Sequence, residues 1–341
     1  MSGAAADEEI AVIGAGSWGT ALAIQFARSG RPTLLWGRAE DDPEGIQRAR
    51  ENARFLPGAR FPDNLRAEPD LAGVLAAAPV VVVAVPSHAF RSVLTMMKPL
   101  VRADTRLAWA TKGFELETGM LPHQVAREVL GAGKAMAVLS GPTFAREVGM
   151  GLPTAMTVAA SDEDYARELA EHLSGDAFRA YTSTDIVGVE VGGAVKNVLA
   201  IGAGICDGLG FGANTRVALI TRGLVEMTRL GIALGAQPAT FMGLAGMGDL
   251  VLTCTDDQSR NRRMGLALAA GKTLKQAEQE IGQVVEGVLA AEAVHRVAQK
   301  AEVEMPICQQ IYRILYQGAE PQEAVVALMK RELKSEFAPG G

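Results

Sequence analysis

The run Gly14-Ala15-Gly16-Ser17-Trp18-Gly19 follows the apolar Ile10-Ala-Val-Ile13 and leads into a helical stretch at 20–28. In a strand-loop-helix of this kind the first glycine permits a tight turn, the second lets the backbone approach a pyrophosphate, and the third allows helix to pack closely on strand. Gly14, Gly16 and Gly19 stand at those three places. The order predicts a bound dinucleotide with its pyrophosphate on the helix N-terminus. It also restricts the fold, because such a loop belongs to a βαβ unit in a mostly parallel sheet.

The rest of the first half keeps that pattern. Short apolar or β-branched runs at 9–13, 33–36, 80–85, 106–110, 135–139 and 155–159 alternate with amphipathic segments. From residue 185 onward strand-like alternation fades, and 187–206, 215–234 and 274–301 read as helices. The stretch 243–265 is the least helical part of that half and reads as a polar loop. The expected architecture is an α/β Rossmann-type dinucleotide-binding domain over 9–185, behind a flexible tail at 1–8. An all-α substrate and catalytic domain follows over 186–341. Two cores suit a chain of 341 residues better than one. No Gly/Ser or Pro linker separates the halves, so they are expected to pack closely around a ligand cleft.

Composition narrows the ligand. Hydrophobic residues make up 48% of the chain and charged residues 21%, which suits packed cores. A net charge of -6 provides no overall positive field for a nucleic acid or an anionic membrane, so any phosphate has to be met by a local cluster. No long uncharged apolar run announces a membrane span. Cys206, Cys254 and Cys308 are dispersed and lack C-x-x-C spacing, which points to a reducing compartment without a disulfide framework or a zinc site.

Candidate site residues cluster after the strands. About twenty residues beyond the glycine loop an NAD site offers an acid to the ribose, whereas this chain has Trp36-Gly37-Arg38. Arg38 suits a 2′-phosphate, so NADP(H) is favoured and NAD(H) admitted; a solvated surface arginine is the alternative. Lys112 follows the strand at 106–110, either as a cation facing the ligand or as a surface lysine. In Ser140-Gly141-Pro142-Thr143, Gly141 would admit a close approach and Thr143 would cap the next helix. Backbone amides there could hold a phosphate or hydroxyl, or the segment is simply a helix start.

Lys196 is the oddest residue of the second half. It lies in a glycine-rich apolar run, and at helical spacing Gly192, Lys196, Ala200 and Gly204 share one stripe. Lysine is rarely buried unless paired, so a charge on this close-packing face suggests proton transfer. Partial burial and nearby cations would lower its pKa toward the useful range. Asp249 could orient or pair with it. Ser259-Arg260-Asn261 combines a guanidinium fork with a hydroxyl and an amide, the chemistry of a phosphate site.

Taken together, these motifs resemble the bacterial NAD(P)-dependent glycerol-3-phosphate dehydrogenases. The resemblance rests on residues 14–19, 110–115, 139–145, 195–197, 243–249, 259–261 and 284–287 and covers nearly the whole chain. It implies that Ser17, Trp18, Arg38, Lys112, Ala145, Arg260, Val284 and Glu286 contact the dinucleotide. It also implies that Lys112, Gly141, Thr143, Lys196, Asp249, Ser259, Arg260 and Asn261 contact substrate, with Lys196 the proton acceptor. Phe114 and Thr143 stand where the family more often has Ile and Ser, and 54–65 is a variant of its Leu-Pro-Gly region. A cytoplasmic homodimer serving phospholipid synthesis is implied as well. Two other readings remain open on the residues alone: a dehydrogenase for a carboxylate such as a 3-hydroxy acid, and a non-catalytic NADP-binding module.

Overall fold

The computed structural model describes residues 8–330. The expected tail therefore lies outside the described residues apart from Glu8, whose carboxylate is tied down by Arg106 at 2.6 Å. The chain forms two compact units: one holds the residues up to Lys112 together with Leu121–Glu190, the other Gly113–Met120 and the chain from Val191 onward.

The first unit is built on an eight-stranded sheet of order β3-β2-β1-β4-β5-β6-β7-β8. Its strands are β1 (Ile10–Ile13), β2 (Thr33–Trp36), β3 (Leu65–Glu68), β4 (Val80–Val83), β5 (Arg106–Trp109), β6 (Met136–Ser140), β7 (Thr154–Ala160) and β8 (Phe178–Ser183). All neighbours pair in parallel except β6 and β7. β1 (IAVI) and β4 (VVVV) are buried throughout, as in parallel strands covered by helices on both faces. Those helices are α1 (Ser17–Arg28), α2 (Pro43–Ala49), α3 (Leu71–Ala77), α4 (Ser87–Met97), α5 (Pro122–Leu130), α6 (Ala145–Met150) and α7 (Glu163–Leu173). Pairing of Ile13 with Trp36 and Val83, and of Val83 with Trp109, aligns the carboxyl ends of four strands along one edge. Strand order reverses between β1 and β4, so the glycine loop leaves β1 at the switch point where ligands of such sheets bind. β3 and β8 are strands that the apolar pattern does not announce. Both lie at sheet edges, and their sequences LRAE and FRAYTS alternate or expose polar residues.

The second unit is helical. Its elements are α8 (Ile186–Gly208), α9 (Gly212–Ala233), α10 (Asp249–Thr255), α11 (Arg260–Ala269), α12 (Leu274–Ile281), α13 (Glu286–Lys300), α14 (Pro306–Tyr316) and α15 (Pro321–Met329), with the first turns of α8 belonging to the first unit. Two expectations are corrected. The helix expected over 274–301 is broken after Ile281, where Gly282 takes a left-handed φ of 69° and ends α12. The expected loop at 243–265 is mostly helical: a π-helical turn at Leu244–Gly248 runs into α10, and α11 starts at Arg260. Its glycines serve packing, since a Cβ on Gly246 would stand 2.3 Å from the Phe241 carbonyl oxygen. By internal contacts the first unit runs through Glu190. The start of α8 stays with the sheet because Asp185 accepts the Gly188 N–H at 2.9 Å and Glu190 bonds to Trp109 and His123.

The glycine-rich stripe of α8 meets backbone, as its composition suggests. A Cβ on Gly192 would come within 2.5 Å of the Ala245 carbonyl oxygen, and one on Gly204 within 2.0 Å of that of Arg262. α8 is long and apolar enough to cross a membrane by length and composition, but 94% of its apolar window is buried within the protein and it carries Glu190 and Lys196. It is a core helix. All three cysteines are free and buried. Burial pushes the Cys206 thiol up to about 11 and that of Cys254 to about 12, so both stay protonated near neutral pH.

Glu226 on α9 accepts the Ile307 and Cys308 N–H groups at the start of α14. Burial raises its carboxyl from the usual 4.5 to about 7, against the opposing effect of those N–H groups. The folded chain thus binds a proton that the unfolded chain has released. The resulting stability is complete below about pH 4.5 and lost as pH rises through 7, roughly 3 kcal/mol in all. Between pH 5 and 8 the wild type should lose that much more urea stability than Glu226→Gln. Parallel pH profiles would show that Glu226 does not titrate in this window.

Candidate active site

In the first unit the residues expected to hold a dinucleotide follow the carboxyl ends of the strands. Gly14 has φ 118°, and a Cβ there would approach the Ala84 carbonyl oxygen to 2.6 Å, so the loops after β1 and β4 touch backbone to backbone. A Cβ on Gly19 would collide with the Gly14 carbonyl oxygen, which accounts for the third glycine of the run. The Ser17 hydroxyl donates to the Phe55 carbonyl at 2.7 Å, leaving its backbone N–H as the group it offers a ligand. Arg38 begins the turn after β2, its side chain 67% exposed beside Asp41 at 3.4 Å and Glu40 at 3.9 Å. Lys112 is half-buried three residues past the end of β5, and the preceding Thr111 hydroxyl anchors that arm to the Val85 carbonyl. A Cβ on Gly141 would press within 2.9 Å of the Met156 Cα. Thr143 does not cap α6: its hydroxyl donates back to the Gly141 carbonyl at 3.2 Å, and Phe144 is the N-cap, with Ala145 opening the helix.

Sequence reasoning missed the brace under this loop. Asn52 is buried, and its amide donates to the Ala15 carbonyl at 2.8 Å and to the Thr20 hydroxyl at 2.9 Å, tying both ends of the glycine turn. A lone asparagine between α2 and β3 carries no pattern that would reveal it.

In the second unit the structure brings together segments far apart in sequence. Lys196 is 7% exposed and its ammonium donates to Asp249 Oδ1 at 2.5 Å and to Thr253 Oγ1 at 3.1 Å. Thr253 in turn donates to the Asp249 carbonyl at 2.6 Å, one turn back along α10. Thr253 lies in the stretch 243–265, and nothing in its local sequence assigns it this role. Asp249 thus pairs with the lysine, as its place in the sequence suggests. The π turn before α10 delivers Asp249 to the first position of that helix, 1% exposed.

The adjacent Asn197 accepts from Asn261 at 2.9 Å, and Asn261 accepts the Gly287 N–H at 2.9 Å. Ser259 is the N-cap of α11, accepting the Arg262 N–H at 3.2 Å. Arg260 donates to the Val284 carbonyl at 2.9 Å, which joins α11 to the segment before α13; Glu286 is the first residue of that helix. Arg262 is used structurally, bonded to Asp207 at 2.7 Å and to Asp257. Of the basic cluster, Arg260 is therefore the guanidinium beside the Ser259 cap and the Asn261 amide.

The chain matches family models described as the NAD-dependent glycerol-3-phosphate dehydrogenase N-terminus over residues 9–166 and C-terminus over 185–326. Together they span more than half of it. The chain belongs to the NAD-dependent glycerol-3-phosphate dehydrogenase family. It is 57% identical over 328 residues to the glycerol-3-phosphate dehydrogenase (NAD(P)+) of Aeromonas salmonicida, covering 96% of this chain and 98% of the relative. The crystal structure of glycerol-3-phosphate dehydrogenase from Coxiella burnetii is 48% identical, with TM-score 0.92 and coverage of 95% of this chain and 99% of that one. The enzyme of Saccharomyces cerevisiae is 27% identical with TM-score 0.83, covering 95% and 100%.

The residues present fit the dinucleotide of this oxidoreductase family. No side chain caps α1, and a Cβ on Gly16 would meet nothing within 4 Å, so the backbone of the first turn is open to an anion. The Trp18 indole N–H is buried and finds no partner among the described residues, a donor available to a ligand seated on that turn.

Proposed function

We propose that this chain reduces dihydroxyacetone phosphate to sn-glycerol 3-phosphate, with Lys196 as the proton donor and, in reverse, the proton acceptor. The observation that carries this reading is the buried Lys196 ammonium held between Asp249 and Thr253, on the helix whose next residue reaches Asn261. A dinucleotide bound at Gly14, Gly16, Ser17, Trp18 and Gly19 supplies the hydride for C2 of the substrate. Lys196 Nζ passes a proton to the C2 oxygen as negative charge develops there. Asp249 and Thr253 fix the Nζ position, so the lysine spends no freedom finding its acceptor. Arg260 and Asn261, with the Ser259 hydroxyl and Lys112, bind the phosphate and align C2. Gly141 and Thr143 complete the substrate contacts, and Ala145, Val284 and Glu286 those of the dinucleotide.

NADP(H) is the favoured cofactor, because Arg38 stands exposed where an acid would serve the NAD ribose. Its neighbours Asp41 and Glu40 hold the guanidinium at the strand end. Arg38→Ala should raise KM for NADPH about tenfold or more and leave that for NADH within about twofold. Equal effects on both would remove the 2′-phosphate role. The enzyme acts in the cytoplasm as a homodimer, supplying glycerophospholipid synthesis.

Steady-state reduction of dihydroxyacetone phosphate, with NADPH and NADH in parallel, tests substrate and cofactor together. A 2-keto or 3-keto acid serves as the control substrate. Turnover of the acid but not of the phosphate ester would overturn the assignment.

A further inference from the structure

Lys196 is one of two charged side chains buried in α8. The other, Glu190, has no part in the chemistry described above. Its side chain is 1% exposed, and it accepts the Trp109 indole N–H at 3.0 Å and the His123 backbone N–H at 2.9 Å through one oxygen. The other oxygen faces the His123 Nδ1 at 2.5 Å. Burial pushes its carboxyl above the ordinary range even though all these donors oppose the shift. A carboxylate kept at such cost in an apolar helix organises two partners, Trp109 and His123, through three of their groups.

The partners' places in the chain are informative. The chain passes between its two units at Lys112/Gly113, at Met120/Leu121 and at Glu190/Val191. Trp109 ends β5 just before the first crossing, His123 is the second residue of α5 just after the second, and Glu190 itself stands at the third. One carboxylate therefore bonds beside every place where the backbone crosses. A polar group serving only to fill the sheet's helix layer would have no reason to gather these three. Between Trp109 and the first crossing lies the short arm Ala110-Thr111-Lys112, whose Ala110 N–H donates to the Val83 carbonyl at 2.9 Å and whose Thr111 hydroxyl donates to the Val85 carbonyl at 2.7 Å.

We infer that Glu190 is a positioning residue: its carboxylate clamps the three chain crossings and so holds Lys112 in place for the phosphate substrate. The inference rests on the reading of Lys112 given under Proposed function. Glutamine at 190 keeps an oxygen for both N–H donors and presents an N–H to His123, so it preserves most of the clamp. Alanine leaves a buried indole N–H and a buried backbone N–H without an acceptor, and loosens the arm at its Trp109 end.

The test is a double-mutant cycle with a structural readout beside it. Glu190→Ala should lower kcat/KM for dihydroxyacetone phosphate by about tenfold or more, mainly through KM, whereas Glu190→Gln should stay within about threefold of wild type. In a Lys112→Ala background the same Glu190→Ala change should cost less than about twofold, since its effect is routed through the missing lysine. Equal losses in the two backgrounds, or a glutamine variant as impaired as alanine, would overturn the inference. Trp109→Phe removes one bond and keeps a ring in the core, so it repeats the cycle with a smaller coupled loss should Glu190→Ala fold poorly. Amide hydrogen exchange in the unliganded protein should quicken about tenfold at 110–112 in Glu190→Ala while β1 and β4 stay protected. Unchanged exchange at 110–112 would sink the clamp. This arm needs no substrate, so it judges Glu190 even if the wild type failed to turn over the phosphate ester and the functional reading fell.

Discussion

Lys196→Ala should lower kcat for dihydroxyacetone phosphate reduction by between about 100-fold and 10,000-fold, while the dissociation constant for NADPH stays within about twofold of wild type. The asymmetry follows from how the parts are divided. The glycine turn, its Asn52 brace and the Trp18 indole belong to the sheet unit. Lys196, Asp249, Thr253 and Asn261 belong to the helical unit. Removing one ammonium leaves every dinucleotide contact named for the first unit in place but takes away the proton donor for the C2 oxygen. Dinucleotide titration by fluorescence together with single-turnover kinetics would measure both quantities. Lys196→Arg is the sharper companion, because it keeps a cation beside Asp249 yet its guanidinium does not release a proton near neutral pH. A Lys196→Ala enzyme with near-normal kcat would remove the lysine from the chemistry.

Parts of this site were legible in the sequence for definite reasons. The dinucleotide loop is local, with strand, turn and helix contiguous, so its three glycines carry their meaning without tertiary information. Lys196 was legible by contradiction, a charge set beside an amide, Asn197, in a helix otherwise rich in small and apolar residues. The same contradiction applies to Glu190, and sequence reasoning passed over it because its partners Trp109 and His123 carry no shared spacing with it. Asn52 was invisible for the same reason. Where reading failed outright, a local rule was overruled by packing. The glycines of 243–248 look like loop residues, yet they allow a π turn to lie against Phe241 and α8. Gly282 looks tolerable inside a helix but ends one, which releases Val284 and Glu286 to the start of α13. The edge strands β3 and β8 lack continuous apolar runs because only one neighbour pairs with each.

The pair formed by Lys196 and Asp249 is expected to be costly for the fold, and that can be measured separately from catalysis. Both groups are almost wholly withdrawn from water, and their mutual attraction only roughly repays that desolvation. Removing one partner strands a buried charge, so Asp249→Ala should lower unfolding stability by about 3–5 kcal/mol and abolish most turnover. Replacing both with apolar residues of similar size removes the stranded charge along with the attraction. The double variant Lys196→Met with Asp249→Leu should therefore recover to within about 1 kcal/mol of wild type, or exceed it, while remaining catalytically dead. Thr253 would keep its bond to the backbone carbonyl at position 249, so the start of α10 should survive the exchange. Urea unfolding of the two single variants and the double, set beside their kcat, decides the point. Recovery of stability without activity means that selection keeps the pair for proton transfer. A double variant as unstable as Asp249→Ala would instead make the ion pair a structural staple of the helical unit.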